Sequence, residues 1–434
     1  MAREHWAELV SPRVGVVRSL RPQPRGSDEP EPPHLWTAQL SNFDFRIASR
    51  TERTAAGKGR TEAEAKAAAI GEAVERYCAH HWDPRRTFVA SIADVDGDAI
   101  APADCVLYAD EQYAREGWSY PRWDPETPVT WIRGARRPGG EPIALPASLV
   151  YLNFPPPRME DLFAPSTSNG LAAGPTLEAA ALSGLCEAME RDALMIAWMN
   201  RLPAVELELD ASAGVAGALR AHYELLGVRL RAFVLPTDLP ATVVMAIASE
   251  DVPGRPATVV GMGCHPSPAA ALSKAAFELC QARPAEASRY RENSPEGRLN
   301  GYEDVKTLDD HSAFAALPAQ RGEFAFLWRD GRTVRLPELP DASAGDAAAD
   351  LDRCTAALAE RGHPVACVEL TTPDIEPYGY RVARVIAAGL QPIHFGFGGE
   401  RLGGRRLFEL PAALGLADAP RTPADLNPCP HPMA

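Results

Sequence analysis

The stretch GLCEAMERDA (184–193) sets Glu187 and Glu190 three residues apart in an Ala-rich helical pattern, with Arg191 directly behind. Two other stretches repeat the arrangement. GEAVERY (71–77) carries Glu72, Glu75 and Arg76, and FELCQAR (277–283) carries Glu278, Gln281 and Arg283. Extended upstream, the segments AAGKGRTEAEAKAAAIGEAVER, LAAGPTLEAAALSGLCEAMER and GMGCHPSPAAALSKAAFELCQAR share one layout: a small, Gly-containing turn, a helix-start signal, then an Ala-rich helix bearing the acidic pair. Thr61, Thr176 and Ser267 are the expected N-caps. Thr61 has Glu64 three residues on, as in a capping box, and Ser267 is followed by Pro268 at the first helical position.

In each segment the first Glu lies eleven residues after the cap. At about 100° per residue this is three turns plus roughly 20°, so cap and carboxylate share a face about 16 Å apart. A phosphate held at the helix N-terminus is out of reach of such an acid. The shared face carries Thr61, Ala65 and Ala68 in the first helix, and Thr176, Ala180 and Ser183 in the second. Ile70, Val74 and Tyr77, or Leu185, Met189 and Ile196, form the apolar stripe opposite.

A water-facing surface is the ordinary explanation for acids opposite a buried stripe. Against it stand the small residues lining the face and the recurrence of the spacing. Adjacent carboxylates also repel by about a few tenths of a kcal/mol, which implies a cation nearby. If the helices converge, the five carboxylates, Gln281 and neighbouring Arg side chains make a Mg²⁺-phosphate site, because Mg²⁺ prefers carboxylate oxygens and is commonly shared with nucleotide phosphates. AAGKGRT is not a Walker loop: that pattern needs Gly at 52 and Ser or Thr at 59, where the chain has Glu52 and Gly59.

At 434 residues the chain has room for two or three subdomains. A formal charge of -14 excludes nonspecific nucleic-acid binding, which needs a basic surface. The eight cysteines show no CxxC and no Cys/His cluster, so neither a zinc site nor a disulfide framework is expected. MAREHWAELV lacks the n- and h-regions of a signal peptide, and FVLPTDLPATVVMAIAS is cut twice by Pro; the expectation is a cytoplasmic protein without a membrane span. Residues 22–33 read as a linker or mobile loop, and the arm before them has strand-like alternation. Strand signals fall at 228–235, 241–249 and 257–264, the last two flanking a hairpin connection, and again at 366–372 and 380–389. Residues 310–360 read as partly helical. Without regular βαβ spacing the pattern favours an α+β fold.

TSNGLAAG…EAMERDA, AAGKG…GEAVERY, ELCQAR, ELTTPDI, GLQPIHFG and PCPHP occur together in an order that resembles a YcaO-domain protein, from about residue 40 onward. The resemblance implies a YcaO-type fold with mixed and antiparallel sheets, flanking Ala-rich helices and an ATP pocket without a P-loop. It divides the chain into an arm and linker (1–40), an ATP/Mg²⁺-binding core with the acidic helices (41–300) and a C-terminal part (301–434). By position, Glu72, Glu75, Glu187 and Glu190 become metal ligands, Arg191 and Arg283 phosphate contacts, and Glu278 and Gln281 complete the nucleotide pocket. Pro428, Pro430 and Pro432 form PxPxP ahead of Ala434, which resembles the tail that azoline-forming cyclodehydratases direct at the active site. Two positions depart from the family pattern: Pro175 stands where many members have Asn, and Ala179 where they have Glu. Glu178 is adjacent but points about 100° away.

The activity so implied is ATP-dependent cyclodehydration of Cys, Ser and Thr in a ribosomal precursor peptide, giving thiazoline and (methyl)oxazoline. Implied partners are that peptide, a separate E1-like or ThiF-like protein that captures its leader, and a flavin dehydrogenase oxidising azolines to azoles; a homodimer is compatible. Two other readings stay open: thioamide or amidine formation in the same pocket, disfavoured by PxPxP, and a noncatalytic peptide-binding scaffold, for which Pro175 and Ala179 speak. His80, His81, Cys186 and Cys280 are expected to pack rather than to ligate or react, and no role is assigned to His265 at its turn.

Overall fold

The computed structural model describes residues 5–26, 29–41 and 53–433. The first strands are β1 (Val17–Pro22), β2 (His34–Leu40) and β3 (Thr54–Gly59), followed by helix α1 (Glu62–His80). Then come β4 (Thr87–Ala90), β5 (Asp98–Ala99), the single turn α2 (Asp110–Tyr113), β6 (Val129–Arg137), β7 (Pro142–Pro146), the single turn α3 (Ala147–Val150) and β8 (Leu171–Gly174). The long helix α4 (Leu177–Met199) precedes β9 (Val205–Glu208), α5 (Val215–Leu225), β10 (Arg229–Val234), β11 (Thr242–Ser249), β12 (Thr258–His265) and α6 (Pro268–Glu292). The remainder holds α7 (Leu308–Ala315), β13 (Thr333–Arg335), α8 (Ala347–Glu360), β14 (Val365–Glu369), β15 (Arg381–Ala387) and α9 (Arg406–Ala413).

The first of two compact units comprises Met1–Gln23, His34–Ala188 and Ala344–Leu390. It contains the antiparallel sheet β1-β2-β3 and a seven-stranded mixed sheet in the order β5-β7-β6-β14-β15-β8, with β4 also on β6. Its core gathers Ile70 and Val74 of α1 with Val17, Leu40, Ile132, Leu145 and Val382. Each such side chain contributes about 1.5–3 kcal/mol by leaving water.

The second unit comprises Pro24–Pro33, Met189–Ser343 and Gln391–Ala434, so the boundary falls inside α4. Its five-stranded sheet runs β12-β11-β10-β9-β13, with β13 parallel to β9 and the other pairs antiparallel. Leu219 and Tyr223 of α5 pack there with Ala271, Leu272, Ala275 and Leu279 of α6. The segment Pro24–Pro33, which the composition presents as a linker or mobile loop, is folded on itself by Arg25 Nη1, which donates to the carbonyls of Pro30 and Pro33, both at 3.0 Å, and is tied to its unit by the ion pair of Glu29 with Arg283. Among the described residues no helix is long and apolar enough to cross a membrane.

The mixed and antiparallel sheets with Ala-rich helices are those expected, and the hairpin between β11 and β12 is present. The turns expected before the first two acidic helices are instead strands, β3 and β8, while β12 lies where a strand is expected, at 257–264. β3, β8 and β12 feed α1, α4 and α6, and each lies at the edge of its sheet. Glycine permits the strand to lie directly on the helix. A Cβ on Gly57 would stand 2.1 Å from the Ala65 carbonyl oxygen, and one on Gly263 2.2 Å from that of Ala271. Strand–helix packing therefore explains Ala65 and Ala180, which are fully buried and carry no independent signal of a cation, whereas Ala68 and Ser183 on the same face are exposed.

Candidate functional site

The three helices place their first acidic residue in the same way. Ala56 N–H in β3 donates to Glu72 Oε2 at 2.9 Å, Gly170 N–H just ahead of β8 donates to Glu187 Oε2 at 3.2 Å, and Met262 N–H in β12 donates to Glu278 Oε1 at 3.3 Å. Edge-strand N–H groups lack a partner strand on one side, and a carboxylate satisfies them with a charge-assisted bond. The eleven-residue spacing after the caps brings the third helical turn back to this edge. Thr61 Oγ1 accepts from Glu64 N–H at 3.2 Å, and Thr176 Oγ1 from Ala179 N–H at 3.1 Å. Ser267 makes no such cap and donates to Asp341 at 2.9 Å.

In the first unit, acids of two helices meet. Glu75 is pushed well above the ordinary carboxylate range, first by burial and then by the charges of Glu72 and Glu187. Glu72 Oε1 accepts from Arg76 Nη2 at 2.8 Å, and the Arg76 charge offsets part of the negative field on Glu75. Arg384 of β15 stands beside the same group. Burial pushes its guanidinium down to about 10, against the charges of Glu187 and Glu75, and its Nη atoms donate to the carbonyls of Thr167 and Leu149 at 2.8 and 2.7 Å. Sequence reasoning missed Arg384; in RVARV both strand faces are buried, so alternation does not mark an inward charge. Glu178 lies in charge reach of Cys367, on the sheet side.

In the second unit, Glu190 and Arg191 form an ion pair at 3.5 Å. The following residue, Asp192, is fully buried and receives Arg406 Nε at 2.8 Å and Gln391 N–H at 2.7 Å, while Arg406 also grips Asp238. This locks the middle turns of α4. The C-terminal segment lies along the same helix. Asn427 N–H donates to Met199 O at 2.6 Å, and Trp198 Nε1 donates to Cys429 O at 2.8 Å. His431, farther on, feels the positive charge of Arg191. Cys429 and His431 each precede a Pro, which biases them to extended backbone, and the chain bends at Cys429 and again at Pro432. Pro430 and Pro432 are buried and Pro428 is exposed; Ala434 lies outside the described residues.

Glu278 and Gln281 are half-buried on α6. Arg283, expected at the phosphates, is engaged elsewhere: its guanidinium is enclosed by Glu29 and by Glu250, the latter at 3.0 Å, with the side chain 5% exposed. Tyr223 also donates to Glu29 at 3.1 Å. A buried Arg between two carboxylates is a structural tie, and the acids responsible lie far off in sequence, beyond the reach of spacing arguments. His80 packs as expected, bonded to Arg76 O and Asn153. His265 accepts from Ser267 N–H at 3.0 Å, and Cys186 and Cys280 are buried.

Among the described residues no group of three or more His, Cys, Asp or Glu side chains closes on a common point tightly enough to hold a metal ion by itself. The donors nevertheless suit Mg²⁺, a hard cation that usually completes its shell with water and phosphate oxygens. Glu75, raised first by burial and then by the charges of Glu72 and Glu187, is the kind of carboxylate that an added cation relieves.

Comparison with known proteins gives a consistent picture. Residues 56–391 match the profile of a family described as YcaO cyclodehydratase, ATP- and Mg²⁺-binding. An uncharacterised protein of Methanothermobacter thermautotrophicus is 30% identical over 356 residues, covering 81% of this chain and 84% of the relative. A solved heterocyclase in complex with substrate and cofactor superposes with a TM-score of 0.82 at 25% identity, covering 100% of this chain and 57% of that one. The YcaO of Methanopyrus kandleri bound with AMPPCP and Mg²⁺ shares the fold, with a TM-score of 0.63 at 22% identity over 90% of this chain and 88% of that one. This chain thus spans little more than half the length of the heterocyclase it matches.

Proposed function

Because the chain belongs to the YcaO cyclodehydratase family, whose cofactors are ATP and Mg²⁺, we propose that it converts Cys, Ser or Thr of a ribosomal precursor peptide to thiazoline or (methyl)oxazoline. The observation that carries the reading is the meeting of Glu72, Glu75 and Glu187 from two helices, with Glu75 pushed well above the usual carboxylate range. Burying like charges together costs stability, and a cation-bridged polyphosphate gives that cost a use.

In the reaction, the side-chain sulfur or oxygen adds to the preceding carbonyl carbon and its proton goes to a base. The former amide oxygen leaves as inorganic phosphate, and loss of the amide N–H proton completes the C=N bond. When bound, ATP supplies the phosphoryl group and Mg²⁺ spreads its charge. The protein's own share is positioning and neutralisation. Glu72, Glu187 and Glu278 each have one oxygen held by a backbone N–H, which fixes the carboxylate's orientation; the second oxygen of Glu72 accepts from Arg76, a bond that a cation would have to share or displace. Glu75 completes the acidic set of the first unit, where Arg384 supplies positive charge; in the second unit Glu190, Gln281 and Arg191 are the contacts that family membership implies for metal, nucleotide and phosphoryl oxygens. The segment Pro428–Pro432, whose His431 feels the charge of Arg191, limits how the peptide can approach.

Leader capture is assigned to an E1-like or ThiF-like partner. A flavin dehydrogenase acting on the azolines would follow. The test is mass spectrometry of a leader-bearing precursor incubated with the protein, partner, ATP and Mg²⁺. Loss of one water per ring, matched by ATP consumed, supports the proposal. Exchange of oxygen for sulfur would replace it with thioamide formation, and bound but unchanged peptide with no ATP consumed would make the chain a scaffold.

A further inference from the structure

Three histidines that the proposed reaction does not use surround the C-terminal segment within the second unit. His311 of α7 has its Nδ1 2.9 Å from the carbonyl oxygen of His431, and its Nε2 lies 2.9 Å from the N–H of Gly396. An amide N–H can only donate, so Nε2 is the bare nitrogen and Nδ1–H donates to the His431 carbonyl. One neutral tautomer satisfies both bonds. The His431 ring stacks on His311, with centroids 3.9 Å apart and planes 13° apart, and its Nε2 donates to the His394 carbonyl at 2.7 Å. His394 stands edge-on to His311 and His431, at 5.9 and 5.0 Å. All three rings are buried.

Two other roles fail on the geometry. Both ring nitrogens of His311 are engaged, and those of His431 as well, since Met433 N–H approaches its Nδ1 at 3.4 Å; neither can ligate a metal without losing these bonds. Nor are the rings suited to act as the base. Burial pushes His311 down to about 4 and His394 to about 3, far from the near-neutral value that makes a general base effective. Positioning is what remains. The C-terminal segment is anchored at one end by Trp198 and Met199 and bends at Cys429, so its far end needs a hold of its own; a misplacement of about 1 Å there can cost on the order of 100-fold in rate.

We propose that His311 is a positioning residue for the reaction: it joins the far end of the C-terminal segment to the Gly-rich loop 394–399, so that both hold one register. The proposal rests on the reading that this chain is a cyclodehydratase. Three variants take the joint apart. His311→Phe keeps ring packing and removes both hydrogen bonds. His311→Asn keeps a donor near the Nδ1 position, and His311→Gln keeps an acceptor near the Nε2 position. With the full chain, partner, ATP, Mg²⁺ and precursor, His311→Phe should lower kcat for ring formation by about 10- to 100-fold with KM for ATP within about twofold, and His311→Asn should recover part of it. Hydrogen exchange should quicken at 427–433 and 394–399 in His311→Phe, at the loop alone in His311→Asn and at the tail alone in His311→Gln. An active wild type beside a His311→Phe variant of equal kcat overturns the proposal. If His311→Phe does not fold, Asn and Gln variants with wild-type kcat and exchange overturn it equally. A wild type that forms no rings removes the reading of function itself, and the joint's catalytic role with it.

Discussion

The α1 and α6 repeats share a frame and differ in their surroundings. In both, an edge strand with Gly lies against Ala of the helix, and a strand N–H is bonded by a Glu eleven residues past the cap. Around α1 the next acid, Glu75, is crowded by Glu72 and by Glu187 of α4. On α6 the corresponding residue is Gln281, and Arg283 is tied to Glu29 and Glu250. The same local scaffold therefore serves as an acidic site in one place and as a structural anchor in another. What separates them is which distant charges the tertiary fold delivers.

That contrast can be broken by substitution. Arg283→Met should be the most damaging to stability: it strands Glu29 and Glu250 as buried charges and should cost about 3–5 kcal/mol in urea unfolding. If it contacts phosphate instead, stability will hold and the KM for ATP will rise. Next, Glu187→Gln retains an acceptor for Gly170 N–H while deleting the charge. It should cut peptide-dependent ATP consumption by about 100-fold with the unfolding curve unchanged, whereas Glu278→Gln should lose nearer tenfold.

Acid should sharpen the view of the buried histidines. Unfolded His takes up a proton below about 6.5, but His311 does so in the fold only near about 4. The unfolded chain thus binds more protons across that window, so stability should fall as pH drops from 6.5 to 4, by about 1.4 kcal/mol per pH unit for each such residue. His311→Phe should flatten the slope; a slope as steep as the wild type's would mean that other groups produce it. The smallest effect belongs to Glu75→Gln. A carboxyl whose folded pKa is raised loses stability as pH climbs through that value, so neutralising it should stabilise the ligand-free protein at pH 7 by about 1 kcal/mol. The same variant should consume ATP more slowly.

Much of the frame was legible because it is local. Caps, helix starts and the eleven-residue spacing of Thr61–Glu72, Thr176–Glu187 and Ser267–Glu278 depend on a single helix each, and the hairpin of β11 and β12 on adjacent chain. Strands β3 and β8 were read as turns because Ala-Ala-Gly has neither β-branching nor alternation; it is small because a helix lies on it. Arg384, His311 and the buried partners of Arg283 were not legible, since each acquires its role from residues up to hundreds of positions away. Pro24–Pro33 misleads by composition in the same way, as one carboxylate, Glu29, ties it to Arg283.

The account stands or falls on whether the acids of α1 and α4 receive a magnesium-bound nucleotide. Calorimetric titration of wild type and Glu187→Gln with a nonhydrolysable ATP analogue, with and without Mg²⁺, asks this directly. The account predicts Mg²⁺-dependent binding in the wild type that weakens by about tenfold or more in the variant. Equal affinity in the two proteins, or binding indifferent to Mg²⁺, would contradict it.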